Sequence, residues 1–238
     1  MVASADIEEF RLAQSGIAAR VKRDLAAFWT SLDLSRPERA RDALLEFVPV
    51  LVQVYGEAAA VVAADWYDEQ RAIERVPGRF RAVMAAPMAT PYVQQRVRFA
   101  AHHLFTDAPG QMLAFLDGAT EKYALQAGRD TIRGSANRDP QAVGWHRETR
   151  PSETFASGCG FCRVLAGRGG VYKRETAPFA AHDDCHCVAV PSWDADAPEV
   201  PADAYVASVR TAGMTQEERD YHFSQIRDLA ALEDPRRR

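Results

Sequence analysis

The sequence predicts an α+β fold: a mostly helical N-terminal half, a small short-stranded C-terminal module, and a helix at the C-terminus. Three observations carry this. Apolar residues recur at helical spacing through roughly the first 135 residues. Near Gly134 the texture changes, with helical periodicity giving way to Gly, Pro, Trp, Thr and Cys. All four cysteines then fall between Cys159 and Cys187.

The first helix is expected from about Asp6 to Ser31, because Ile7, Phe10, Ile17, Val21, Leu25 and Phe28 share one stripe. Arg11, Arg20, Lys22 and Arg23 fall opposite and read as a solvated face. Ser35-Arg36-Pro37-Glu38 has the form of a capping box with proline in the first turn. The helix it opens carries Leu44, Val48, Leu51, Tyr55, Val62 and Trp66, with Pro49 as a kink, and should run to about Arg75 before Pro77-Gly78. Its apolar run from Phe47 to Ala64 is broken by Pro49, Gln53, Gly56 and Glu57, so it reads as a buried helix and not a membrane span. Val93, Val97, Ala100 and Leu104 mark a shorter helix, and Leu113, Leu116, Tyr123 and Ile132 mark another from about Gln111 to Gly134.

Beyond Gly134, Val164-Leu165 and Val171-Tyr172 read as two short strands around the turn Gly167–Gly170, and His186–Val190 as a third. Residues 191–204 are rich in Pro, Ala and acid and read as a linker. Thr215-Gln-Glu-Glu218 is a second capping box, opening a helix with Ile226, Leu229 and Leu232. The expected organisation is therefore 1–134 helical domain, 135–191 Cys/His module, 192–214 acidic linker, and 215–238 C-terminal helix and basic tail.

The 238 residues carry 33 acidic and 29 basic side chains, a net charge of −4, so no global positive field is available for nucleic acid. Lysine occurs only at Lys22, Lys122 and Lys173; the arginine excess matches a GC-rich codon bias. No secretory leader is legible at the N-terminus, so a reducing cytoplasm is expected. In that setting Cys159-Gly-Phe-Cys162 and Cys185-His-Cys187 read as metal ligands before disulfides, although a disulfide or redox pair would also use such spacing. Thiolate and imidazole favour zinc in a closed structural site. The preferred ligands are Cys159, Cys162, Cys185 and Cys187, with His182 or His186 as substitutes for one second-half cysteine. No Gly-x-Ser-x-Gly elbow and no His-Glu-x-x-His occurs, and Ser135, Ser152 and Ser157 form no legible catalytic set with His146.

Arg129-Asp-Thr131, Gly144-Trp145, Cys159-Gly-Phe-Cys162, the Gly167–Gly170 turn and His182-Asp-Asp-Cys185-His-Cys187 with Pro191 follow one another in an order that resembles the Mu F-like phage head morphogenesis proteins. The variant here is similar to minor capsid proteins of tailed phages infecting actinobacteria, a group often labelled capsid maturation protease. The resemblance covers residues 125–191. It implies a virion component inside the procapsid, assembled in the host cytoplasm. Its partners would be the portal and major capsid proteins, with packaged DNA touched through Arg236-Arg237-Arg238 and no membrane. A maturation protease and a zinc-module nucleic-acid binder are the competing expectations. Some relatives resemble ADP-ribosyltransferases, for which Arg129, Thr131 and Glu153 are the available residues, without a Glu-x-Glu pair.

Overall fold

A computed structural model describes residues 2–149, 160–167, 170–173, 179, 181–200 and 215–218. Its elements run α1 (Ser4–Thr30), α2 (Pro37–Ile73), α3 (Thr90–Ala100), a 3₁₀ turn (Ala101–Phe105), α4 (Gly110–Arg138), β1 (Gly144–Glu148), α5 (Gly160–Ala166) and β2 (Val188–Ser192). The helical first half is the one the periodicity predicted, and β2 overlaps the strand expected at His186–Val190; its partner β1 was not among the expected strands.

Helices α1, α2 and α4 pack side by side because each has one apolar stripe to bury. At one end, Val21, Leu25, Leu44, Val48, Val97, Leu104, Met112 and Leu116 close a core under α3 and the 3₁₀ turn. At the other end, Ile7, Phe10, Trp66, Tyr67, Ile132 and Ala136 share a core with Trp145, Cys162, Phe179, Cys185 and Val188–Val190. The C-terminal module is thus built onto the bundle, not tethered beside it. The Phe10 and Trp66 rings stack at 4.4 Å on this seam.

Close approach of α2 and α4 depends on small residues. A Cβ on Gly128 would lie 2.9 Å from the Ala59 carbonyl and 3.1 Å from the Gln14 amide. Gly128→Ala is therefore expected to destabilise by about 1–3 kcal/mol, although alanine is the better helix former. Gly16→Ala, with nothing within 4 Å, should raise the melting temperature. Thermal unfolding of the pair checks both signs.

Several local expectations are overturned. Ser35 does not cap α2: the Asp33 carboxylate captures both its N–H (3.1 Å) and its hydroxyl (2.6 Å), and Arg36 stands at the N-cap. Helix α4 runs past Gly134 to Arg138, carrying Ser135 and Ala136 into the shared core. Val164 and Leu165 are helical, within α5. There the i, i+3 spacing turns Cys162 and Leu165 both inward. Lys22 does not sit on a solvated face (below). An 18-residue window of α2 is apolar enough to cross a membrane by length and composition, despite its interruptions, and half of it is buried inside the protein. Pro49 lies within a helix unbroken from Pro37 to Ile73.

In the module, β1 pairs antiparallel with β2 in the register Gly144↔Ser192 to Glu148↔Val188. The free edge of β1 takes Tyr172: Trp145 donates to the Tyr172 carbonyl (3.2 Å) and Tyr172 donates back (2.7 Å). Gly144 is required here twice over. Its φ is +148°, and a Cβ would lie 2.6 Å from the Tyr172 carbonyl oxygen. Residues 192–200, read from composition as linker, lie on the module: Val171 exchanges backbone bonds with Pro198 (2.8 Å) and Val200 (3.0 Å). Thr215 and Glu218 do form the reciprocal capping box, each accepting the other's backbone N–H. The rest of the expected C-terminal helix lies outside the described residues.

Candidate metal centre

Helix α5 supplies Cys162 from its inner face, and the turn before β2 supplies His182, Cys185 and Cys187. Cys162 Sγ is 3.3 Å from His182 Nε2 and 3.7 Å from Cys185 Sγ. All three ligand atoms lie within 4.8 Å of one another. A sulfur–sulfur distance of 3.7 Å is far from the ~2.05 Å of a disulfide. It fits a shared ion: tetrahedral zinc, with bonds of about 2.3 Å to sulfur and 2.0 Å to nitrogen, spaces two sulfurs by about 3.8 Å and sulfur from nitrogen by about 3.5 Å. These three side chains lie close enough to hold one metal ion.

His182 is presented in the right sense. Its Nδ1 faces the Asp183 carbonyl at 2.5 Å; an Nδ1–H donated there leaves the Nε2 lone pair toward the sulfurs. Cys185 follows Asp184, a non-glycine residue at φ +57°, which reverses the chain between the imidazole and the thiol.

The sulfurs are buried together, and they share protons. Hydrogen bonds to Cys185 and Cys187, then burial, push the Cys162 thiol up. The same contacts from Cys162 and Cys187 hold Cys185 strongly down, helped by the Arg129 charge. The three sulfurs therefore titrate as one coupled group, and each one that binds an ion does so as a thiolate. Two buried guanidiniums supply the compensating charge. Arg147 donates to Cys162 Sγ at 3.6 Å and lies 3.8 Å over the Phe179 ring. Arg129, from α4, donates to the carbonyls of Cys187 (3.2 Å) and Cys185 and so clamps the backbone carrying both cysteines. Arg129→Lys loses the fork that spans the two carbonyls. It is expected to weaken metal affinity 10–100-fold, measurable by competition with a chromophoric chelator; an unchanged affinity would remove Arg129 from this role.

The ligand turn is held to the bundle by charge. Asp184 pairs with Lys22 at 3.0 Å, and Lys22 also reaches Asp117 (3.0 Å) and the fully buried Glu121 (2.7 Å). Asp183 pairs with Arg96 (2.6 Å) and Lys122 (2.5 Å). Burial would raise the Asp183 carboxyl, but these two cations outweigh it and hold it below the ordinary range. Single-sequence reading missed Lys22, Arg96 and Lys122 because their carboxylates lie up to 162 positions away.

Of the other sequence candidates, Cys187 is buried beside the cluster but outside the three-atom group. His186 turns away, with Nε2 3.8 Å from Glu121. Cys159 lies outside the described residues, as do Ser152, Ser157 and Glu153. Ser135 Oγ accepts the Val83 amide, His146 faces Glu148 at 3.5 Å, and Thr131 Oγ1 accepts the Ala85 amide. The recess beside Arg129, His186 and Cys187 has room for about 10 Å³, about one water.

The family model described as VG15 protein matches residues 1–212, both the bundle and the module with the Cys/His cluster. The chain belongs to the VG15 protein family. This is a phage-associated viral family, and the match extends well beyond the segment that carries the cysteines. No curated protein and no solved structure matches.

Proposed function

We propose that this VG15-family chain is a minor capsid protein of a tailed phage, of the Mu F-like head morphogenesis type. In this reading it acts inside the procapsid near the portal, in head assembly or DNA packaging and delivery. The observation that carries it is the family match over residues 1–212. The ordered motifs Arg129–Thr131, Gly144-Trp145, Cys162 and His182–Cys187 support it, since they meet in space in one module: Arg129 clamps the cysteine turn, and Trp145 stands opposite Pro191. Portal and major capsid proteins are the proposed partners, packaged DNA is met through the Arg236–Arg238 tail, and assembly takes place in the host cytoplasm with no membrane step.

The ion is zinc in this proposal, because two buried cysteine sulfurs and an imidazole are soft-to-borderline donors. Its role is to hold shape. Cys162, His182 and Cys185 supply three ligands. A further thiolate completes the shell, Cys187 by its place beside both sulfurs, or Cys159 by its two-residue spacing from Cys162.

Two measurements test the reading. Mass spectrometry of purified virions and procapsids should find the chain at a few copies per particle; its absence from both would overturn the assignment. Elemental analysis should find about one zinc per chain, and Cys159→Ala and Cys187→Ala will differ in which one loses it.

A further inference from the structure

One surface stands apart from the rest of the molecule. From Arg75 to Thr106 the chain carries five arginines and two histidines and no acidic residue, although acids outnumber lysine and arginine overall. Within this stretch, α3 and the 3₁₀ turn bury Val93, Val97, Ala100 and Leu104 against the bundle. Their outward side would ordinarily be polar. Instead Tyr92 and Phe99 are each 63% exposed and Phe105 is 52% exposed. Arg98 and His102 are exposed on the same side.

These aromatic rings do not stand singly. Phe99 packs against Phe115 at 5.5 Å and against His102 at 6.2 Å; the His102 and His103 rings lie 3.8 Å apart, tilted by 38°. Arg96 caps the Phe115 ring at 3.9 Å. His102, Arg98 and Phe105 also line a shallow groove whose far side is Arg41, Asp42 and Leu45. The one carboxylate in that groove is already paired with Arg41 at 2.8 Å. The result is a row of exposed aromatic rings from Tyr92 to Phe105, ~20 Å at the helical rise of 1.5 Å per residue, with the exposed Arg98 among them; Arg96 is already held by Asp183.

We propose that the outward face of α3 and the 3₁₀ turn (Tyr92, Arg98, Phe99, His102 and Phe105) docks an apolar segment flanked by carboxylates on another protein. Tyr, Phe and Arg are the residue types that concentrate binding energy at protein interfaces. A contiguous exposed apolar ridge costs solubility unless a partner covers it. Arg98, on a face of α3 and the 3₁₀ turn that carries no acid of its own, favours a partner that brings a carboxylate to it and disfavours a basic one. A rigid helix face, with one side locked into the bundle, meets the partner preorganised. The choice of probe rests on the proposed function above: the portal protein is the first partner to test.

The test uses the full chain and two folded variants. In one, Tyr92, Phe99 and Phe105 all become serine. In the control, the exposed Val50, Val54 and Val61 of α2 become serine. Unchanged circular dichroism shows that both fold, since neither set is buried. Binding to purified portal protein, purified major capsid protein and a labelled 30-nucleotide single strand is read by fluorescence anisotropy at two salt concentrations. The expected result is salt-sensitive binding to portal protein that the aromatic triple weakens at least 30-fold, that Arg98→Glu weakens about tenfold, and that the valine control leaves unchanged. Equal binding by the aromatic triple overturns the proposal, as does failure to bind either capsid component. So does nucleic-acid binding that the triple abolishes, which would make a strand the occupant. Virion mass spectrometry stays independent: the chain can be present in heads while this face proves idle.

Discussion

Cys185→Ser is expected to empty the metal centre and loosen the whole C-terminal module while the helical bundle persists. Cys185 is one of the three donors that converge, its sulfur 3.7 Å from that of Cys162, and serine cannot replace it as a soft ligand at neutral pH. Structural zinc contributes about 10–16 kcal/mol in isolated finger peptides. Here part of that free energy is shared with a core that the module forms with Trp66, Tyr67 and Ile132, so the loss is local melting and not global unfolding. Metal content should fall from about one to below one-tenth per chain. Amide exchange should rise across β1, β2 and α5 and change little around Leu25 of α1 and Leu44 of α2, which lie in the other core. A strong chelator applied to the unsubstituted chain should reproduce the pattern, and zinc should reverse it. Unchanged metal content and exchange in Cys185→Ser would show that the three donors meet for another reason.

The second large effect is expected at Asp139, where α4 ends. Its Oδ2 accepts from Tyr67 (3.2 Å), Arg71 (3.0 Å) and Trp193 (3.0 Å), while Oδ1 accepts the Gln141 amide (3.1 Å). Arg71 in turn donates to the carbonyls of Val76 (3.4 Å), Gly78 (3.0 Å) and Pro77 (2.7 Å). One carboxylate therefore ties α2, the loop after it, the end of α4 and the residue after β2. The side chain is fully buried, and that of Arg71 is 9% exposed. Removing one partner from such a pair strands the other charge, which typically costs about 3–5 kcal/mol. Asp139→Ala should lower the melting temperature by roughly 6–20 °C in a chain of this size. Burial alone would raise the Asp139 carboxyl; hydrogen bonds from Arg71, Trp193 and the Gln141 amide outweigh it and hold it below the ordinary carboxylate range. The sign follows. This stabilisation is fully present above the unfolded carboxyl value near pH 4 and is lost as pH falls through the lower folded value. Acid unfolding of Asp139→Asn should therefore show a shallower loss of stability below pH 4 than the unsubstituted chain; identical slopes would place the acid sensitivity elsewhere.

Much of this architecture was legible before any coordinates. Helices α1 to α4 each declare themselves by apolar spacing, because burial of one face against neighbours is a local periodic signal. The Cys/His cluster was legible as a metal candidate from its spacing alone, and Thr215–Glu218 as a cap from four residues. What failed was the fine reading of short segments. Ser35 resembled a cap, yet Asp33 two residues earlier competes for the same donors. Val164-Leu165 resembled a strand, yet a two-residue apolar pair is equally consistent with one turn of helix, and the burial of Cys162 and Leu165 on the same side decided it.

The sequence by itself determined the two-part character of the protein: a periodic helical half that must bury long apolar stripes, and a sulfur-bearing segment with too little apolar surface of its own. Only the tertiary structure decided which donors face one another, that Lys22 belongs to Asp184 and Glu121 and not to solvent, that Asp139 joins Arg71 to Trp193, and that aromatic rings line the outer side of α3. The physical reason is range. Periodicity and capping are written within about one turn of chain, whereas these pairings join residues between 20 and 162 positions apart, and nothing in either partner's neighbours encodes the other.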